Sequence, residues 1–149
     1  MSRARHGTAA EEVARFADEI GSPAAVRAAI RALRKRDQVP PGFGHPLYPT
    51  GDPRTRPLLD AAARLRGNRR SHTLLAIAEA TTDAHPTADV GLAALVAALG
   101  APPTAGSGLF AVARAAGWLA HSLEQRAASY LLRPRARYTG PPVMPDRST

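Results

Sequence analysis

Apolar residues recur along this chain at the three- and four-residue spacing that is typical of amphipathic helices. They fall on one face of a first predicted helix over residues 8–20, which Gly21 ends. Ser22 and Pro23 have the order of an N-cap and a first-turn proline, and they open a second predicted helix with a basic end at 34–36. The pattern therefore predicts that the chain begins with a helical hairpin.

Four further helices are predicted, over residues 58–65, 71–82, 87–99 and 106–130. The last of these is the longest and almost wholly apolar, so we expect it at the centre of the fold or at a subunit interface. No run of β-branched residues indicates a strand. We predict an all-α fold, with a helical region over 1–127 and a Pro-rich tail over 128–149 that carries the motif RPRAR.

The segment 37–57 contains six prolines, which is too many for a helix interior, and it predicts an ordered loop. Within its stretch GFGHPLYPTGDPR, His45 follows backbone N–H groups of Gly42, Phe43 and Gly44 that we expect to face an anionic or carbonyl ligand. The alternative is that His45 is a structural histidine of a turn. The residues alone leave both interpretations open.

Two charged residues are explained by local structure, and a third, Arg114, also admits a bound ligand. Asp52, before Pro53 and Arg54, suits the N-cap of the next helix. Asp89 suits the first turn of an apolar helix, where the helix dipole favours an acid. Arg114 lies within the run LFAVARAAGWLA, where a buried cation requires an anion, either a ligand or a structural ion pair.

Composition narrows the function classes. The net charge of +8 comes almost wholly from arginine, with Lys35 the single lysine, and this allows a nucleic-acid binder as a minor alternative. The chain has no cysteine, which excludes disulfides and thiol catalysis, and it shows no signal peptide or membrane span, so we expect a cytoplasmic protein.

The histidines lack metal-ligand spacing, so we predict no metal site. Three of them are expected at the surface or in packing, namely His72, His85 and His121.

Five motifs in order resemble the C-terminal part of the citrate synthase family, including its methylcitrate relatives. They are HGTAAEEV, GFGHPLYPTGDPR, PTADVGLAAL, GLFAVARAAGWLAHSLEQ and LLRPRARYTGP, and they run from about His6 to Pro141. The resemblance implies a helical homodimer whose small domain, together with the last segments of the large domain, is encoded here. It also implies condensation of acetyl-CoA or propionyl-CoA with oxaloacetate, with no permanently bound cofactor.

The resemblance also implies roles for individual residues. His6 matches the histidine that stabilises the enolate of the thioester, His45 the one that polarises the ketone, and Asp89 the base that takes the methyl proton. Arginines bind the carboxylates of the oxo acid, and the segment that matches the coenzyme A contact is Pro41 to Gly44. The matching arginines are Arg54, Arg114 and, across the dimer, Arg133.

The chain has only five residues before His6, where members of the family have most of the large domain. We therefore expect a truncated or split protein with weak or no activity by itself. The alternative from the binding class is a partner subunit that completes a separately encoded large-domain chain.

Overall fold

The computed structural model describes residues 9–128 and Tyr130, and its regular elements over these residues are six α-helices. The all-α prediction is therefore confirmed for this part of the chain. The division between a helical region and a tail at 127/128 stays a prediction, and the model itself separates two compact units at Arg114. The helices are α1 (Ala9–Ile20), α2 (Pro23–Arg34), α3 (Thr55–Arg64), α4 (Arg69–Ala80), α5 (Ala88–Ala98) and α6 (Ala105–Ala127).

The helix bounds follow the predictions to within three residues, and the early start of α4 has a local cause. Helix α4 begins two residues before the predicted start because Asn68 caps it. The Asn68 side chain accepts the backbone N–H of Ser71, and the Ser71 hydroxyl accepts the backbone N–H of Asn68 in return. The sequence GNRR, residues 67–70, is therefore a capped helix start.

Helix α5 forms the centre of the core and packs against α1, α3 and α4. Its Val90 is fully buried, as is Leu74 of α4. The contact with α3 is close, because a Cβ atom on Gly91 would lie 2.6 Å from Cβ of Leu58. Burial on nearly every face explains why α5 is apolar apart from Asp89.

Helix α6 buries only Gly106 among its residues, although its composition is also apolar. Of the two expected places, the centre of the fold does not fit this exposure among the described residues, and a place at a subunit interface stays a prediction. The exposed large side chains of α6 are Leu109, Val112, Trp118, Leu119 and Leu123.

Candidate functional site

The loop before α3 is held against the chain segment that leads into α5. Phe43 and Pro86 form an isolated antiparallel β-bridge. The backbone N–H of Gly44 donates to the carbonyl of His85 at 2.9 Å, and the N–H of Thr87 donates to the carbonyl of Gly42 at 2.8 Å. The loop is therefore attached directly before the first turn of α5, where Asp89 lies.

Gly42 is required by the packing of the core. Its φ is +82°, and a Cβ atom there would lie 2.5 Å from Cγ2 of Val13 and 2.7 Å from Cγ2 of Val90. The expectation that three N–H groups in this segment face a ligand needs correction, because the N–H of Gly44 is already bonded to His85. Phe43 also packs against the core. Much of the glycine pattern thus has a structural cause that the sequence did not reveal.

His45 is half-buried, and its imidazole has a defined orientation. The ring Nδ1 accepts the backbone N–H of Leu47 at 3.1 Å. Because this nitrogen acts as an acceptor, the neutral ring carries its proton on Nε2 and can donate a hydrogen bond from there. The His45 ring also lies 5.0 Å from the Tyr48 ring, measured between centroids.

The guanidinium of Arg54 forms a bidentate ion pair with Asp52. Its Nε lies 2.9 Å from Oδ1 and its Nη2 lies 2.7 Å from Oδ2. The hydrogen bond to Asp52 is the main cause that raises the pKa of Arg54, and the charges of Asp52, Tyr48 and Asp89 add to it. The side chain of Arg54 is 50% exposed, and no described residue bonds its Nη1. Arg54 can therefore offer Nη1 to a carboxylate ligand.

Asp52, Arg54, Tyr48 and His45 form a cluster of successive contacts. Asp52 is its buried centre, and the side chain of Asp52 is 0% exposed. Besides the guanidinium, its carboxylate accepts the backbone N–H of Arg54 at 3.0 Å and that of Ala88 at 3.1 Å. The hydrogen bond from the Arg54 side chain is the main cause that lowers the pKa of Asp52 to about 2, burial opposes it, and the two backbone N–H groups support it.

Asp52 forms the expected capped turn, since its Oδ1 accepts the backbone N–H of Arg54, but it is not itself the N-cap of α3. The residue that directly precedes α3 is Arg54, whose own side chain makes no capping bond. The Asp52 carboxylate also joins the loop to the start of α5, through a residue 36 positions further along the chain. A contact over this separation leaves no local pattern in the sequence.

Asp89 lies in the first turn of α5 and is half-buried. Its backbone N–H donates to the Thr87 hydroxyl at 3.3 Å, and that hydroxyl donates to Oδ2 of Asp89 at 3.3 Å. Thr87 is the N-cap of the helix, so the capping interaction also orients the carboxylate. The charge of Asp89 also contributes to raising the pKa of Arg54, so the two charged groups act on each other electrostatically.

The remaining predicted site residues are not part of this cluster in the described residues. Arg114 is exposed on α6 and forms no ion pair with another described residue, so the expected burial and structural ion pair are not found there, while its role towards a ligand anion stays a prediction. His6 and Arg133 lie outside the described residues. Sequence reasoning missed Tyr48, whose ring lies 5.4 Å from Cζ of Arg54.

The described residues meet the requirements neither of a metal site nor of a membrane span. No three histidine or acidic side chains come together as a possible metal site between residues 9 and 128. None of the helices described above is long and apolar enough to cross a membrane.

Known proteins resemble this chain over most of its length. The family model described as citrate synthase, C-terminal domain, matches residues 1–135. Citrate synthase 2 of Bacillus subtilis is 36% identical over 143 residues, which are 91% of this chain and 38% of the relative. A 2-methylcitrate synthase of Mycobacterium tuberculosis is 32% identical and is covered to 36% of its length. The chain thus spans well under half the length of these relatives.

Solved structures agree with this match. Citrate synthase from Thermotoga maritima aligns with a TM-score of 0.75 and 30% identity over 93% of this chain and 40% of its own. Citrate synthase from Thermoplasma acidophilum, in a ternary complex with carboxymethyl coenzyme A and oxaloacetate, aligns with a TM-score of 0.74 and 30% identity over the same shares. By its helical fold and by its sequence, this chain belongs to the citrate synthase family.

Proposed function

We propose that this chain supplies part of the active site of an acyltransferase that condenses an acyl-CoA with oxaloacetate. The products are citrate from acetyl-CoA or 2-methylcitrate from propionyl-CoA, together with free coenzyme A. The observation that carries the proposal is the cluster in which His45, Tyr48, Arg54 and Asp52 form successive contacts beside Asp89. Family membership and the relatives' names support the choice of reaction.

Asp89 and two members of the cluster, His45 and Arg54, have positions that suit a role in this reaction. Asp89 takes a proton from the methyl or methylene carbon next to the thioester, and His45 donates its Nε2 proton to the ketone oxygen of oxaloacetate. The enolate carbon then attacks the ketone carbon, and hydrolysis of the thioester releases coenzyme A. Arg54 binds a carboxylate of the oxo acid through Nη1, which a fork-shaped cation does well.

Other roles rest on the resemblance. His6 would stabilise the enolate, while Arg114 and Arg133 would bind carboxylates, the latter across a dimer. The exposed side of the Pro41–Gly44 backbone would contact coenzyme A, since Gly42 and Phe43 also serve the core. Coenzyme A enters as a thioester substrate, and the same proposal includes a cytoplasmic homodimer without a permanently bound cofactor.

Helix α6 favours a second candidate role, that of a partner subunit for a large-domain chain. Its exposed apolar side chains, Leu109 and Val112 among them, are of the kind that protein interfaces cover. Among the described residues, the cluster also lacks Arg114. We therefore propose weak or no condensation by this chain alone, and full activity when large-domain residues are present.

The test measures thiol release from acetyl-CoA and from propionyl-CoA in the presence of oxaloacetate. The 149-residue chain is compared with a chimera in which it replaces the matched segment of the Bacillus subtilis relative. We expect little release by the chain alone and oxaloacetate-dependent release by the chimera. A folded chimera without activity would contradict the proposed function, and ordinary enzyme rates from the chain alone would contradict the need for a partner.

A further inference from the structure

We propose that Asp52 is a positioning residue that couples ligand binding at Arg54 to the first turn of α5, and hence to Asp89. This inference rests on the proposed function for the identity of the ligand, an oxo dicarboxylate. The coupling itself concerns contacts within the chain and can be tested without any ligand.

The first argument is the distribution of bonds over the carboxylate of Asp52. Oδ1 accepts from Nε and from the backbone N–H of Arg54, and Oδ2 accepts from Nη2 of Arg54 and from the backbone N–H of Ala88. Four donors use the roughly four acceptor positions that a carboxylate offers. Because Oδ2 is shared, the strength of the bond to the guanidinium affects the bond to α5.

The second argument is that the pair is open to solvent on one side only. The carboxylate is buried, whereas the side chain of Arg54 is 50% exposed. A ligand carboxylate therefore reaches the guanidinium at Nη1 and not at Asp52. Once bound, it shares the positive charge of Arg54, so that Oδ2 is less neutralised and accepts the N–H of Ala88 more strongly.

The third argument is the position of the receiving group. Ala88 is the first residue of α5, and the next residue is Asp89. A shift of the Ala88 peptide therefore moves the base directly, and the hydrogen bonds of Thr87 hold the same turn on its other side. Carboxylate binding would thus set the position of the base before the proton is removed.

The chain offers a matched control in the Asp18–Arg70 pair. Its geometry is also bidentate, with Nε 2.6 Å from Oδ1 and Nη2 2.8 Å from Oδ2. No backbone N–H of the described residues bonds the Asp18 carboxylate, and both side chains are partly exposed. Arg70 lies in the first turn of α4, so the same chemistry is present there at a helix start, but with no backbone N–H of that helix among the described bonds to the carboxylate.

The ligand-free experiment records the amide resonance of Ala88 in ¹H–¹⁵N spectra of the full chain. Arg54→Gln is expected to shift this resonance, Asp52→Asn is expected to shift it as well, and the double variant should add no further shift. Arg70→Gln should leave it in place. If Arg54→Gln is folded and leaves Ala88 unmoved, the coupling is refuted, even where Asp52→Asn does not fold.

The second experiment uses the chimera and oxaloacetate. Asp52→Asn is expected to raise the KM for oxaloacetate about tenfold, as for the loss of about one charge-assisted hydrogen bond, and to lower kcat, with the KM for acetyl-CoA unchanged. Asp18→Asn should change none of these constants. An equal change in both KM values would indicate a general structural role and overturn the proposal. If the chimera is inactive but Ala88 responds to Arg54→Gln, the proposed function fails and the coupling within the chain stands.

Discussion

Helices α5 and α6 have similar compositions and opposite environments. Both consist largely of alanine, leucine, valine and glycine. Seven of the eleven residues of α5 are buried, whereas Gly106 is the one buried residue of the 23 in α6. The comparison shows that an apolar helix sequence predicts a contact surface but not which molecule supplies the contact.

The comparison also explains which of the candidate residues the fold brings together. Asp89 lies on α5, and the loop with His45 and Arg54 is bonded to the segment that begins α5. Arg114 lies on α6 and is exposed. Residues attached to the packed helix are therefore placed by the fold, while the residue on the exposed helix is left outside the cluster.

The largest expected effect comes from placing the same substitution on both helices. Gly91→Val should destabilise the protein by about 3 kcal/mol, because its side chain would overlap Leu58 across the contact of α3 and α5. Gly108→Val should be neutral or slightly stabilising, since a Cβ atom there meets nothing within 4 Å and valine is the better helix former. Urea unfolding measures both, and equal losses would break the comparison.

A smaller contrast follows from removing methyl groups. Val96→Ala on α5 deletes fully packed atoms, since Val96 is 2% exposed, and should cost about 2 kcal/mol of unfolding free energy. Val112 is 76% exposed on α6, so Val112→Ala should change stability by less than about 0.5 kcal/mol. Thermal and urea unfolding of the two variants give the difference directly.

Acid should weaken the attachment of α5 through Asp52. The pKa of this carboxyl falls from 3.8 to about 2 on folding, so the stabilisation is complete above about pH 4 and is lost as the pH falls towards 2. The contribution is at most about 2 kcal/mol, because the half-exposed Arg54 is screened by water. Asp52→Asn should remove this part of the pH dependence, and an unchanged acid profile would contradict the assignment.

The smallest effect on stability is expected for polar substitutions on the exposed face of α6. Leu109→Gln should alter the unfolding free energy by no more than about 0.5 kcal/mol. It should nevertheless lower concentration-dependent association, which exposed apolar side chains promote. Analytical ultracentrifugation separates the two properties, and unaltered association would remove the support that α6 gives to a partner role.

Local patterns were sufficient to predict the helices and much of the loop. Gly21, the residue predicted to end α1, has a positive φ, and so does Gly100 after α5. Prolines lie between α2 and α3, between α4 and α5, and between α5 and α6. Contacts between distant segments were beyond local reasoning. The bond from Ala88 to Asp52, the packing of Gly42 between two valines and the exposure of Arg114 all depend on which elements meet in space.

The central claim is that the cluster beside α5 performs the condensation, and the chimera with Asp89→Asn tests it most directly. Loss of the base should lower kcat for thiol release by roughly 10²- to 10⁴-fold while the chimera stays folded. Asp60→Asn is the control, since Asp60 pairs with Arg56 on α3, and it should retain the parent rate. An Asp89→Asn chimera that releases thiol as fast as the Asp60→Asn chimera would contradict the account.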